Sequence, residues 1–358
     1  MASEYFSISY EDARSKFLDA SSSLEVESFC LRDDLFIDVA FKKSRGKKII
    51  FLVSGTHGVE GYLGSAAQLL FLKEFLPKIK NVSVCFIHAL NPFGFKFDRR
   101  VNENNVDLNR NSVYDERLML GIPNTFLSNV WADSLMFLKL NRPRRHRLIE
   151  LMSYYSLVFK SIRSTGVKDT IRIGVSGQSS FPHSVGFKGV KLEDSLLFLR
   201  SVIEEKTQGF EEALFIDFHS GVGTKFSVSA FTNKPPNSKE FLRIKPLLKR
   251  VRSRYKSKTA NHSGSVSDLF LARSYASFNI DLTFEYGTIS KVSSRLILDY
   301  LAKLNIEENQ VFFFGNEKKR QKIRKKYKRA YSPMDKTFKN SLVRKTRKFF
   351  TKLVNEFD

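Results

Sequence analysis

The chain has 358 residues, 42% of them hydrophobic and 27% charged, which suits a globular protein with a sizeable core in one large domain or two ordinary ones. No run of about 18 uncharged apolar residues occurs, so no membrane span is expected, and the opening stretch MASEYFSISYEDARSKF lacks the apolar segment of a secretory signal. The formal net charge is +23, which favours acidic partners such as nucleic acid, anionic lipid or acidic substrates. Much of that charge is local: residues 317–358 hold 16 Lys and Arg against 4 Asp and Glu, and RPRRHR at 142–147 is a smaller cluster. The two cysteines, Cys30 and Cys85, lie in apolar runs. They read as buried thiols rather than a disulfide, and a reducing cytoplasm fits.

The predicted elements alternate between strand and helix. SLEVESFCL and FIDVAFKK form an antiparallel pair, and KKIIFLVSG is a central strand. GYLGSAAQLLFLKEFL has a helical apolar period. VSVCFIHAL is a strand that ends at the turn signal NPFG. TFLSNVWADSLMFLKL and HRLIELMSYYSLVFKSI read as helices of an insertion or flank over 112–165, and TIRIGVSG as a strand. KLEDSLLFLRSVIEEKTQG is a helix with a glycine stop. EEALFIDFHSG is an apolar strand of the kind buried in a parallel sheet. KFSVSAFTN is a strand, SKEFLRIKPLLKRVRSRY a helix, FNIDLTFEYG a strand and SSRLILDYLAKL a helix. Two further helices over 317–357 are parted by YSPMD, and their apolar periods mark them as packed on the fold with a solvated basic face. The order predicts an α/β three-layer sandwich around a mixed, largely parallel sheet, as one domain over 1–358. Ligands in such folds sit at the carboxyl ends of the strands.

Four segments at strand exits carry residues that chemistry can use. SGTHGVEG places His57 and Glu60 three apart, a pair able to bind one divalent metal. The plainer reading is a helix start, with Thr56 as cap and Glu60 in the first turn. DFHSGVG carries His219 at the end of a buried strand, where a lone histidine is more often satisfied by the backbone. TFEYGT carries Glu285, a carboxylate that burial penalises unless it has a partner. That partner is either a general-base role beside a metal or a salt bridge to one of the many basic side chains. NPFGFKFDRRVNENNVDLNRN carries Arg99, Arg100, Asn109 and Arg110, forks suited to a substrate carboxylate or a developing oxyanion, or simply solvated arginines of a loop.

The order and flanks of these segments resemble the zinc metallocarboxypeptidase superfamily, including its aspartoacylase and succinylglutamate desuccinylase relatives. The segments also resemble an uncharacterised bacterial branch of it, over roughly residues 25–355, with 112–165 matching least. The resemblance implies one Zn2+ per chain on His57, Glu60 and His219, with Glu285 as general base and acid. Asn109 and Arg110 match the pair that holds a free carboxylate. An upstream arginine polarises the scissile carbonyl, Arg100 before Arg99, and Gln178 in GVSGQ falls in a motif of the bacterial branch that lines the pocket. No counterpart of the mobile tyrosine of true carboxypeptidases is found. The implied activity is hydrolysis of an amide next to a free carboxylate, in a peptide or an N-acyl amino acid, by a cytoplasmic enzyme without a specific nucleic-acid partner. The competing reading is a basic binding protein on the same scaffold with a non-catalytic metal site.

Overall fold

The computed structural model describes residues 2–119, 176–255, 264–289 and 293–358, with a few positions between 143 and 166. The expected helix over 125–140 and the expected strand over 170–175 lie outside the described residues. Eight strands form one sheet: β1 (Glu25–Arg32), β2 (Leu35–Lys42), β3 (Lys48–Val53), β4 (Val82–His88), β5 (Glu212–Thr224), β6 (Val228–Thr232), β7 (Val251–Ser253) and β8 (Phe278–Ile289). Their spatial order is β1-β2-β4-β3-β5-β8-β6-β7. β4, β3, β5 and β8 run parallel, while β1–β2, β2–β4 and β6–β8 are antiparallel. The mixed, largely parallel sheet of the sequence reading is therefore present.

Two-residue alternation sorts the central strands between two faces. Ile50 and Leu52 of β3, Leu214, Ile216 and Phe218 of β5, and Ile280, Leu282 and Phe284 of β8 enter one core. Phe51, Val53, Ala213 and Phe215 enter the other. The first core is covered by α2 (Gly61–Glu74) and by the carboxyl-terminal α11 (Lys336–Phe357). α2 is apolar all round and almost wholly buried, as a helix sandwiched between a sheet and another helix must be. Phe350 of α11 meets Phe71 and Phe75 edge-on, with ring centroids 4.8 and 5.5 Å apart. The second core is covered by α6 (Asp194–Lys206) and α8 (Val266–Arg273).

In α10 (Glu317–Tyr331), Ile323, Tyr327, Ala330 and Tyr331 are buried while most of its lysines and arginines face outward. Its basic composition is thus a solvated face on a packed helix. α10 lies against α9 (Ser294–Phe314) in a third apolar cluster with Val59. Among the described residues no helix is long and apolar enough to cross a membrane.

Several local expectations are corrected. Cys85 is buried, but Cys30 is exposed, because β1 is an edge strand with one open face. SKEFLRIKPLLKRVRSRY is not one helix: α7 (Lys239–Ile244) passes into a short 3-10 turn at Pro246, and the chain then forms β7. The proline lacks the N–H a continuing helix needs. NPFG is not a bare turn. Asn91 caps α3 (Pro92–Lys96), its Oδ1 accepting from the Gly94 N–H at 2.8 Å.

Candidate metal centre and active site

β3 crosses over to β4 on one side, whereas β5 leads to β8 on the other. The switch point lies between β3 and β5, where parallel sheets leave a crevice. His57 follows β3 and His219 lies on β5, so the two histidines flank it. Gly55 makes the turn after β3 at φ +71°, a conformation other residues rarely adopt. Gly58 presses on Gly94, leaving no room for a Cβ. The Gly58 and Val59 N–H groups donate to the carbonyls of Arg100 and Arg99 at 3.3 and 2.8 Å. That pairing ties the His57–Glu60 turn to the segment after α3 and sets Arg100 beside it.

His57, Glu60 and His219 are all buried, and their donor atoms converge. His57 Nδ1 lies 3.0 Å from Glu60 Oε1. His219 Nδ1 lies 3.2 Å from Glu60 Oε2 and 3.2 Å from His57 Nδ1. Outside this triangle each imidazole meets a carboxylate. His219 Nε2 is 2.6 Å from Asp217 Oδ2, and His57 Nε2 is 3.2 Å from Asp107 Oδ1. A carboxylate can only accept, so where Nε2 carries the proton of a neutral ring it donates to that carboxylate and leaves Nδ1 as the lone pair. In neutral rings both Nδ1 lone pairs then point at each other and at a carboxylate.

Such an arrangement repels itself unless something positive sits between. A divalent cation with donors about 2.0–2.2 Å away in a tetrahedron spaces them about 3.3–3.6 Å apart; the two Nδ1 atoms are 3.2 Å apart and each meets one oxygen of Glu60. The residues therefore fit a metal ion, and the carboxylates behind both rings are the supports such ligands use. Electrostatics agree: burial opposes charge on His219, yet Asp217 and Glu60 lift its pKa to about 10. The centre attracts positive charge strongly enough to overcome desolvation.

Asp217 and His219 share a face of β5 because they are two residues apart. The Thr56 hydroxyl donates to Asp217 Oδ1 at 2.8 Å. Thr56 thus fixes the carboxylate behind His219 and does not cap a helix, which corrects the sequence reading. Asp217→Asn is expected to lower metal affinity about 10- to 100-fold, with an unchanged fold by circular dichroism, because it weakens the grip on the His219 tautomer. Titration with a competing chelator measures it.

Glu285 lies opposite His219 in the β5–β8 register. Its Oε1 accepts from the Val222 N–H at 2.8 Å, and no ion pair to it occurs among the described residues. Burial, reinforced by the nearby Glu60 charge, pushes its carboxyl up to about 7. A carboxyl poised there can take and return a proton near neutrality.

Arg100 Nε donates to Asp107 Oδ2 at 3.1 Å, and its Nη1 is 3.5 Å from Glu60 Oε1. Its side chain stays one-fifth exposed, facing the cavity. Arg99 points away. It is buried against Glu308 at 2.8 Å, and its guanidinium stacks 3.5 Å from the Phe312 ring centroid. The structure thus brings Arg100, not Arg99, to the histidines.

Asn109 and Arg110 line the same cavity. Asn109 Oδ1 accepts from the Val266 N–H at 3.1 Å, and its Nδ2 is the donor it can offer a ligand carboxylate. Burial, with Arg100 and Arg254 near, brings the Arg110 pKa down to about 10 despite Asp107. Gln178 is not among the cavity residues. Its Oε1 accepts from the Ser180 and Phe181 N–H groups, and its Nε2 donates to the Phe181 carbonyl. It holds the loop that brings Gly177, Val185 and Gly186 to the cavity wall. Arg254 is a cavity residue that sequence reasoning missed, set 4.3 Å from the Phe231 ring centroid.

The cavity measures about 680 Å3, within the range of small-molecule sites. A family model described as "Protein of unknown function (DUF2817)" matches residues 6–345. No curated protein matches the sequence. Among solved structures, the chain is similar to a carboxypeptidase A from Helicoverpa armigera, at 14% identity and TM-score 0.47, over 91% of this chain and 75% of that one. It is also similar to bovine thrombin-activatable fibrinolysis inhibitor in complex with tick carboxypeptidase inhibitor, at 12% identity and TM-score 0.46, over 89% and 98% of the two chains. A third is a metallo-carboxypeptidase from Pseudomonas aeruginosa, at 12% identity and TM-score 0.42, over 86% and 71%.

Proposed function

The chain belongs to this DUF2817 family of proteins of unknown function, so its activity has to be read from its own site, and we propose that it is a zinc-dependent hydrolase of an amide bond next to a free carboxylate. One observation carries the reading. The convergent Nδ1 atoms of His57 and His219 with Glu60, the buried carboxyl of Glu285 and the guanidinium of Arg110 all open on one cavity. Two histidines and one carboxylate are the donor set of hydrolytic zinc sites, with one position left for water or substrate.

When bound, zinc would polarise the substrate carbonyl and lower the pKa of a coordinated water from about 15.7 toward about 7. The chain's own residues do the rest. Arg110 and Asn109 hold the substrate carboxylate and so fix the amide against the Glu285 carboxylate. Glu285 takes a proton from the attacking water and passes it to the departing nitrogen. Arg100 donates to the carbonyl oxygen as charge develops on it. Asp107 keeps Arg100 in place, and with Asp217 it keeps both histidines turned inward.

The test is hydrolysis of N-acyl amino acids and short peptides, each beside its carboxamide analogue, with zinc and after chelation. We expect zinc-dependent turnover that falls about a hundredfold or more in kcat/KM when the carboxylate is capped, since Arg110 then loses a charged partner. Equal turnover of capped and free substrates would remove Arg110 from the proposal. Turnover that survives complete chelation would remove the metal.

A further inference from the structure

We infer that the amide cleaved carries an apolar acyl chain on its carbonyl side, making the substrate an N-acyl amino acid with a medium to long hydrocarbon chain rather than a peptide. The inference rests on the proposed hydrolase and names the substrate class of that site.

The cavity has two kinds of wall. The polar one comes from the strand exits already described. The other comes from α9 and from the segments near 157 and 185. Leu157, Phe181, Val185 and Ile306 are partly buried hydrophobic side chains of one apolar cluster there. Three of the four line the cavity. Leu298, on the same helix and the same cavity, is 54% exposed. Partly exposed apolar side chains that line a cavity are surface that hydrocarbon would cover favourably.

Several polar groups on that wall are engaged within the fold. The Tyr327 and Tyr331 hydroxyls both donate to Asn305 Oδ1, at 2.6 and 2.8 Å. Glu308 is spent on Arg99, and Asp299 on Lys303. A peptide extending over this wall would strip water from its backbone N–H and C=O groups and its ammonium, and find few partners. A methylene chain has no such groups of its own to desolvate.

The placement of the head supports the same direction. Asn109 and Arg110 are anchored beside Gly264 and Val266 at the start of α8. Leu301 of α9 lies against Gly221, beyond His219 on β5. A substrate held by its carboxylate at Arg110 therefore runs past His219 toward α9. At about 30 Å3 per heavy atom, taking that of a liquid water molecule, the cavity accepts roughly 20 such atoms. A glycine head with an acyl chain of about ten to twelve carbons fills it.

The reaction is a hydrolysis. The water oxygen bonds to the acyl carbon, the C–N bond breaks, the water proton goes through Glu285 to the amine, and a fatty carboxylate and a free amino acid leave.

The experiment measures kcat/KM of the zinc-loaded protein on N-acetyl-, N-hexanoyl-, N-octanoyl- and N-dodecanoylglycine, beside leucylglycine. Binding of N-acetyl- and N-dodecanoylglycine to zinc-loaded Glu285→Gln is measured by calorimetry. Each buried methylene is worth about fourfold, so burying even three or four of the methylenes added from acetyl to dodecanoyl gives a rise of about a hundredfold, in both rate and affinity. Ile306→Asp should flatten that rise while zinc content stays at the wild-type level. Turnover that is flat or falls with chain length, or that favours leucylglycine, overturns the acyl inference and leaves the hydrolase standing. Chain-length-dependent binding without turnover in the wild type keeps the acyl site and overturns the hydrolase. Neither binding nor turnover overturns both.

Discussion

Glu285→Gln is expected to keep its metal and lose hydrolysis by about a hundred- to ten-thousand-fold in kcat, the usual worth of a positioned general base and acid. The substitution is mild for the fold. Glutamine keeps the oxygen that accepts from the Val222 N–H. It also removes a charge that burial and Glu60 disfavour, as the raised carboxyl shows. Folding stability should therefore hold or rise slightly, so lost turnover cannot be assigned to unfolding. Single-turnover kinetics with zinc content measured on the same sample checks it. A zinc-loaded Glu285→Gln protein with wild-type turnover would put the proton transfer elsewhere.

Arg100→Met should lower kcat about 100- to 1000-fold with a smaller change in KM, because a donor aimed at developing negative charge acts mainly in the transition state. Methionine replaces most of the apolar stem, so the loss is of charge and donors rather than of packing. Asp107 loses its Nε partner but keeps His57 Nε2 and the Asn109 N–H. Arg110→Met should show the opposite split, with KM rising more than kcat falls. Steady-state kinetics on one N-acyl amino acid separates the two roles. An Arg100→Met enzyme with unchanged kcat would reduce Arg100 to a counter-ion for Asp107.

The parts of this site that could be read from the sequence are those that share one local rule. His57 and Glu60 sit three apart behind an apolar run, and the structure turns them onto one point. The strand pattern of EEALFIDFHSG also held the position of Asp217 behind His219, two residues earlier on the same face. Period-two alternation alone carries that signal. Asp107 was not legible in the same way, since its imidazole partner lies 50 residues away in the sequence. Thr56 looked like a helix cap because a hydroxyl before a helix usually is one. Its actual acceptor, Asp217, comes from another strand.

Arg254 was hidden in the basic run RVRSRYKSK, where any single arginine resembles its solvated neighbours. Only the folded β7 carries it to the cavity. Arg99 and Arg100 are adjacent in sequence, so spacing could not separate them. What distinguishes them is tertiary: Glu308 and Phe312 of α9 take one guanidinium, and Asp107 and Glu60 take the other. Gln178 was singled out from a motif, but hydrogen bonds within its own loop consume its amide.

The most direct measurement of the central claim is the metal content of the purified protein, by elemental analysis of wild type beside His219→Ala. The account predicts about one zinc per wild-type chain and a loss of most of it in the variant, because His219 is one of three converging ligands. A wild-type protein that holds no zinc, and takes up none on reconstitution, would contradict it.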